Sequence, residues 1–339
     1  MAGQAPSFWW QAPSWRSGLL APLACVYGMV AARNLTKRAG ARIDVPVLCI
    51  GNYTVGGAGK TPTAIYFAEL ARDEGFIPGI VSRGFGGDYN GVHLVDPETD
   101  SAKRVGDEPL LLARHASVAV CSDRSHAAEF LKTRGCDFII MDDGFQSARL
   151  YADYALLVVD ASRGIGNGMI IPAGPLRAPL DVQMAKTDGI LRIGTQNAAD
   201  HLVAQAQAAG KPTFDAVLQA SSKSDLADGQ WLAFAGIGNP EKFFFSLRTS
   251  GASIGATREF ADHHPFTAQD IAQLRDEAAL KNLRLITTAK DYVRLASQAD
   301  MDRSFIASLS VLDVELSFAD KSAAKTIFET VLQRFEARQ

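Results

Sequence analysis

The chain has 339 residues, 47% hydrophobic and 21% charged, so it is long for a single core and too apolar to be disordered. A formal net charge of -3 excludes bulk attraction to nucleic acid or an anionic surface and leaves such roles to local basic clusters. Cys25, Cys49, Cys121 and Cys136 show no CxxC spacing, and three of them lie in apolar runs, which predicts reduced thiols in a cytosolic compartment.

The first forty residues differ from the rest. Trp9, Trp10 and Trp15 precede an apolar run over residues 18–32, and Arg33, Lys37 and Arg38 follow it. At about 15 residues the run is shorter than the roughly 20 needed to span a bilayer. Arg16 before a short apolar core is also a signal-peptide pattern, but a nucleotide site soon after it belongs where nucleotide is found. A buried helix is the plain alternative. The aromatic and cationic flanks favour a helix lying in a membrane interface.

Next, the apolar run Val45-Pro46-Val47-Leu48-Cys49-Ile50 leads into Thr54-Val55-Gly56-Gly57-Ala58-Gly59-Lys60-Thr61. A strand, a loop of small residues and then Lys-Thr at a helix start is the order of parts in a phosphate-binding loop. Lys60 would reach the β- and γ-phosphates, and the Thr61 hydroxyl would ligate Mg²⁺. Thr54 stands where the usual pattern has Gly, and Gly56, Gly57 and Gly59 supply the backbone freedom instead. An ordinary glycine-rich turn is the competing reading.

A helix is predicted over 61–74, with Pro62 in its first turn, and a strand over 77–81. That strand enters Ser82-Arg83-Gly84-Phe85-Gly86-Gly87, either a plain turn or a ligand loop at a strand end. Asp107 and Glu108 precede Pro109 and an apolar run, so they are either helix caps or functional carboxylates. Strands at 117–121 and 138–141 follow, with Asp123-Arg124 at a helix start between them and Asp142-Asp143-Gly144-Phe145-Gln146 after the second. Carboxylates closing a buried strand opposite a phosphate loop can hold Mg²⁺. After a strand at 154–160, the proline-rich segment 172–179 places Arg177 on a constrained loop, suited to phosphate or simply exposed. Ala185-Lys186-Thr187-Asp188 looks like a guanine-reading motif but lacks the preceding strand.

A helix over 202–210 precedes a second α/β pattern, with strands at 231–235, 253–260 and 283–288 and helices at 241–250 and 268–280. Two β-rich stretches, 214–218 and 311–318, are placed to pair as a connection, and a helix over 321–335 can return to the first half. Asp262, His263 and His264 lie in a loop. Consecutive histidines point apart and rarely share a metal, so a His that orients or polarises a carboxylate competes with an exposed one.

Taken together, Gly51-Asn52-Tyr53-Thr54, the phosphate loop, Ser82-Arg83-Gly84-Phe85-Gly86, Gly106-Asp107-Glu108-Pro109, Asp142-Asp143-Gly144-Phe145-Gln146, Gly174-Pro175-Leu176-Arg177, Asp262-His263-His264 and Thr287-Thr288-Ala289-Lys290-Asp291 resemble the tetraacyldisaccharide 4'-kinases of lipid A biosynthesis. The motifs run through most of the chain in the family's order. The resemblance implies transfer of the γ-phosphate of ATP, with Mg²⁺, to the 4'-hydroxyl of a tetraacylated glucosamine disaccharide 1-phosphate. It implies a P-loop NTPase-like α/β/α domain and a smaller α/β/α domain joined by a two-stranded linker. The divisions would be 1–40 at the membrane, 41–212 for nucleotide, 213–318 for the smaller domain with the linker, and 319–339 returning. A monomer at the cytosolic face of the inner membrane, binding the lipid A disaccharide precursor and no nucleic acid, follows.

On the residues, Thr54, Val55, Gly56, Gly57, Ala58, Gly59, Lys60, Thr61 and Gln146 would bind nucleotide. Thr61, Asp142 and Asp143 would surround the metal, and Arg124 and Arg177 would contact phosphate on the substrate. Asp107, His263, Lys60 and Arg177 would carry the chemistry, His263 being preferred to His264 because it matches the family's Asp-His pair. Two departures stand out: Ala178 replaces a frequent Glu, and Phe85 replaces an aromatic residue with a hydroxyl. Rival readings are a P-loop phosphotransferase with a soluble acceptor and a nucleotide-switched membrane-partition ATPase. The latter proteins carry an extra Lys early in the loop, where this chain has Val55-Gly56-Gly57.

Overall fold

The computed structural model describes residues 5–37, 40–84, 86–147, 149–221, 226, 229–298 and 300–339, and Arg38 and Phe85 lie outside the described residues. Eight strands come first: β1 (Val47–Gly51), β2 (Pro78–Ser82), β3 (His93–Leu94), β4 (Ser117–Val120), β5 (Phe138–Asp142), β6 (Tyr154–Asp160), β7 (Gly189–Ile193) and β8 (Thr213–Ala220). Four more, β9 (Gln230–Ala235), β10 (Ser253–Glu259), β11 (Arg284–Thr288) and β12 (Ser310–Leu312), make a separate sheet in the order β10-β9-β11-β12. The last, β13 (Val314–Phe318), returns to the first sheet, whose order is β13-β8-β7-β6-β1-β5-β2-β4-β3.

Within the larger sheet the inner neighbours are all parallel, and only β13 and β3, at the two edges, run antiparallel to their partners. Parallel strands are covered on both faces, which is why β1, β5 and β6 are apolar runs buried at every position, with Asp142 closing β5 and Asp160 closing β6. One face is covered by helices Lys60–Asp73 and Lys321–Glu336, whose Phe67, Ile327 and Phe328 are buried there; Phe328 stacks on Phe138 at 4.9 Å. The other is covered by helices Arg124–Thr133 and Asp200–Ala208. Such a doubly covered parallel sheet puts the ends of its strands, and the loops after them, at one rim.

The stretch 311–318, expected as one strand, is divided. Ser310–Leu312 belongs to the smaller sheet and Val314–Phe318 pairs antiparallel with β8 in the larger, because Asp313 turns away to accept a hydrogen bond from the Ser221 amide at 2.9 Å.

The N-terminal helix, Trp15–Lys37, is longer than its apolar run, and the segment Trp15–Thr36 is long and apolar enough to cross a membrane. It is not a core helix. Ser17, Ala24, Gly28 and Leu35 face the body, whereas Trp15, Leu19, Leu23, Val26 and Val30 form an exposed stripe, Leu19 at 73%. Apart from Leu35, small residues face inward and large apolar residues outward, which inverts the usual arrangement of a soluble surface helix. Trp9 departs from the expected headgroup role: it is buried, and its indole N–H donates to the Pro172 carbonyl at 3.0 Å.

Candidate active site

β1 delivers the chain to the centre of the larger sheet, and helix Lys60–Asp73 begins at the end of the loop that follows. Gly56 and Gly59 adopt φ of 111° and 101°, the left-handed region that glycine enters without strain. Among the described residues no side chain caps this helix and no acidic residue occupies its first turn, so its amides and dipole are left for an anion. The loop is braced from the far side of the chain. Thr54 bridges Leu176, the Val55 amide donates to the Pro175 carbonyl at 2.9 Å, and the Arg177 amide donates to the Tyr53 carbonyl at 2.9 Å. The proline-rich segment is therefore a strap against the phosphate loop.

That strap aims Arg177. Its guanidinium holds Asp143 by both oxygens, at 2.7 and 3.1 Å, and also donates to the Thr54 carbonyl and to Gln146 Oε1. Lys60 Nζ stands 3.7 Å from Asp143 Oδ1. Burial pushes the Asp143 carboxyl up, but Lys60 and Arg177 outweigh it and hold the group well below the usual carboxylate range. Gln146 is fully engaged inside the protein, donating to the Asn52 carbonyl at 2.7 Å and to Gln183 at 3.2 Å while accepting from Arg177. Arg124, at the start of its helix, donates to the Asp143 carbonyl at 2.8 Å, and its Nε is buried without a partner among the described residues.

Asp142 is different from its neighbour. It lies beside Ile50 of β1, almost fully buried, and its Oδ1 has no hydrogen-bond partner among the described residues. Burial, with Glu108 and Asp143 nearby, pushes its carboxyl up to about 7. Among the described residues no three His, Cys, Asp or Glu side chains form a ready-made metal cage. An orphaned carboxylate oxygen at the end of the strand beside the phosphate loop nevertheless fits a hard divalent cation that completes its shell with phosphate oxygens and water.

Asp107 opens the short helix Asp107–Leu112 and is buried. Its Oδ2 accepts from His263 Nδ1 at 2.9 Å, although 156 positions separate the two residues and they stand beside different sheets. His263 takes φ of 56°, and its amide donates to the Gly236 carbonyl at 3.0 Å; His264 instead stacks on Phe260 and pairs with Asp270 at 3.0 Å. The consecutive histidines thus point apart. Burial pushes Asp107 up, but hydrogen bonds from His263 and Arg294 bring it below its ordinary value. The hydrogen bond to Asp107 raises His263.

Sequence reasoning overlooked Arg294, which donates to Asp107 Oδ2 from Nε at 3.0 Å and from Nη2 at 2.5 Å. One turn earlier on the same helix, Ala289–Ala296, Lys290 pairs with Glu108. The signal was present as two cations at i and i+4 opposite two adjacent carboxylates. Lys290 and then Lys60 hold Glu108 ionised, so the carboxylate pair and the phosphate loop share one electrostatic site. Arg83, Tyr89, Ser122 and glycines of the second glycine-rich loop line an adjoining cavity of 380 Å³. Ala178 is fully buried and its carbonyl accepts from Gln183 at 2.8 Å, so no carboxylate is offered there. Thr187 and Asp188 of the guanine-like motif are spent on Tyr53 and on the Ala155 amide.

Residues 16–333 match the family model described as tetraacyldisaccharide-1-P 4'-kinase. The chain belongs to the tetraacyldisaccharide 4'-kinase family. Proteins named tetraacyldisaccharide 4'-kinase from Brucella ovis and Brucella suis are each 58% identical over 338 residues, covering 100% of this chain and 99% of theirs. The crystal structure of the apo form of LpxK from Aquifex aeolicus, in complex with ATP, superposes with a TM-score of 0.71 at 23% identity, over 95% of this chain and 100% of that one. At that identity the superposition speaks for the fold. The full-length relatives make this chain an ATP-dependent kinase of lipid A biosynthesis.

Proposed function

We propose that this 4'-kinase binds the polyphosphate of ATP in the Thr54–Thr61 loop and presents the 4'-hydroxyl of the acylated disaccharide to Asp107, at the inner-membrane surface. The observation that carries the reading is the Asp107–His263 contact, which sets a carboxylate and an imidazole from different sheets beside the phosphate-loop charges. A sugar hydroxyl has a high pKa and needs a base within hydrogen-bond reach as its proton leaves.

The residues divide the work. Thr54, Val55, Gly56, Gly57, Ala58 and Gly59 line the phosphates with backbone groups, and Lys60 exchanges Asp143 for the transferring phosphoryl group. Thr61 and Asp142 would hold Mg²⁺, with Asp143 in its outer surroundings. When bound, the ion supplies neutralisation of charge on the phosphates. Arg177 and Arg124 offer cationic donors to phosphate, and Gln146 holds Arg177 in place rather than reading nucleotide itself. Asp107 accepts the hydroxyl proton and His263 orients that carboxylate. The exposed stripe of the N-terminal helix supports contact with the membrane, and the protein acts there as a monomer at the cytosolic face, where ATP is found.

Transfer of labelled γ-phosphate from ATP to a panel of acylated and deacylated glucosamine disaccharides tests this. Label appearing at the 4'-position of the acylated disaccharide 1-phosphate is the expected result, and equal labelling of soluble sugars would defeat it.

A further inference from the structure

Arg294 is buried to 6% exposure, and every polar edge of its guanidinium is used. Nε and Nη2 reach Asp107 Oδ2, and Nη1 donates to Asp291 Oδ1 at 2.8 Å and to the Gly236 carbonyl at 3.2 Å. Asp291 is itself fixed, accepting from the Gly236 amide at 3.0 Å and from the Thr288 hydroxyl at 2.7 Å. The same Gly236 carbonyl takes the His263 amide. One turn after β9 therefore seats both Arg294 and His263, and both arrive at a single oxygen of Asp107. All the hydrogen bonds that Asp107 makes to side chains of the described residues fall on Oδ2.

We infer that Arg294 is a positioning residue for phosphoryl transfer: with His263 it pins Oδ2 of Asp107, so that Oδ1 is the atom that takes the proton of the acceptor hydroxyl. This rests on the reading of Asp107 as the base. As the hydroxyl oxygen forms its bond to the γ-phosphorus, its O–H bond breaks towards Oδ1, and the bond from that phosphorus to the bridging oxygen breaks with the electron pair leaving on ADP. Three donors on one oxygen make the carboxylate less basic, so Arg294 contributes geometry, not proton affinity. A carboxylate rotating freely about its terminal torsion would present either oxygen, and misplacement by about 1 Å can cost on the order of 100-fold in rate. Lysine retains the charge between Asp107 and Asp291 but not the fork that holds the plane of the carboxylate.

The experiment is a double-mutant cycle on the full-length protein with ATP and the acylated disaccharide. Arg294→Lys is expected to lower kcat by about tenfold or more, with KM for ATP within about twofold of the parent, and to lower the residual kcat of Asp107→Asn by less than about threefold. Arg294→Gln, which keeps one fork donor but not the charge, should show the same coupling, and each variant's ATP affinity reports whether it folds. Equal fold losses in both backgrounds would overturn the inference while leaving Asp107 as the base. An Asp107→Asn protein with parental kcat would remove the base itself, and the inference with it.

Discussion

Lys60 Nζ rests 3.7 Å from Asp143 Oδ1, an oxygen that Arg177 also holds at 2.7 Å. The loop lysine thus has an internal anion to hold when no phosphate is present, and a polyphosphate must outbid one carboxylate for it.

Lys60→Ala should lower kcat by about 100- to 1,000-fold, the scale of losing one preorganised donor to transition-state charge. The fold should be unaffected, since Asp143 keeps Arg177. Initial rates of γ-phosphate transfer, read beside a thermal melt, check it, and activity within about threefold of the parent refutes it.

Asp142→Asn should abolish activity yet stabilise the metal-free protein at neutral pH. An ordinary aspartate releases its proton near 3.9, and burial pushes Asp142 up to about 7. Between those values the folded state holds a proton that the unfolded state has released, so stability falls as pH rises across that window, and asparagine escapes the loss. For a chain this long, Tm should rise by roughly 2 °C or somewhat more for each kcal/mol relieved, with the gain shrinking towards acid. Melting curves in chelator from pH 5 to 8 that stay parallel would contradict this.

The Asp107–His263 pair should leave a pH signature in stability. His263 is raised by its hydrogen bond to Asp107, so its contribution is complete below about 6.5 and is lost as pH climbs through the raised value. Asp107 is lowered by His263 and Arg294 against the effect of burial, so its contribution is complete above about 3.9 and is lost as pH falls through the lowered value. The melting difference between the parent and His263→Ala should therefore be greatest near pH 5 to 6 and should shrink on the alkaline side. A difference that grows with pH would separate the two residues.

Replacing Leu19, Leu23 and Val26 with Asp should release the protein from vesicles. All three are exposed, so the fold does not need them, and each apolar side chain buried in lipid is worth about 1.5–3 kcal/mol. Flotation with anionic and neutral vesicles measures it, and unchanged flotation of a folded triple variant counts against the interfacial role.

The parallel strands were legible because burial on both faces makes β1, β5 and β6 apolar up to their closing residues. The phosphate loop was legible because its glycines, Lys60 and Thr61 are contiguous. What was hidden depends on distant partners. The apolar stretch through Val311 looked like one strand, and only Ser221, just past the end of β8 in the larger sheet, marks Asp313 as the point of division. Trp9 looked like a membrane anchor because nothing near it in sequence announces Pro172. Asp107 and His263 were put together from family likeness and not from spacing, and the i, i+4 spacing of Lys290 and Arg294 gains its meaning only beside Asp107 and Glu108, which lie more than 180 positions away.

The hydrogen bond from the Ser221 amide to the Asp313 carbonyl closes a circuit: the chain leaves the larger sheet at Ala220 and rejoins it at Val314, which is paired with Ala220. The segment 221–313 is in effect a cassette spliced into a hairpin, and a tight turn between Ala220 and Val314 would restore the hairpin without it. His263 and Arg294 ride on the cassette, whereas Lys60, Asp142 and Asp107 belong to the host. Exchanging this block through a two-point graft would move His263 and Arg294 together and leave Asp107 behind, so a grafted block must bring its own fit to that carboxylate.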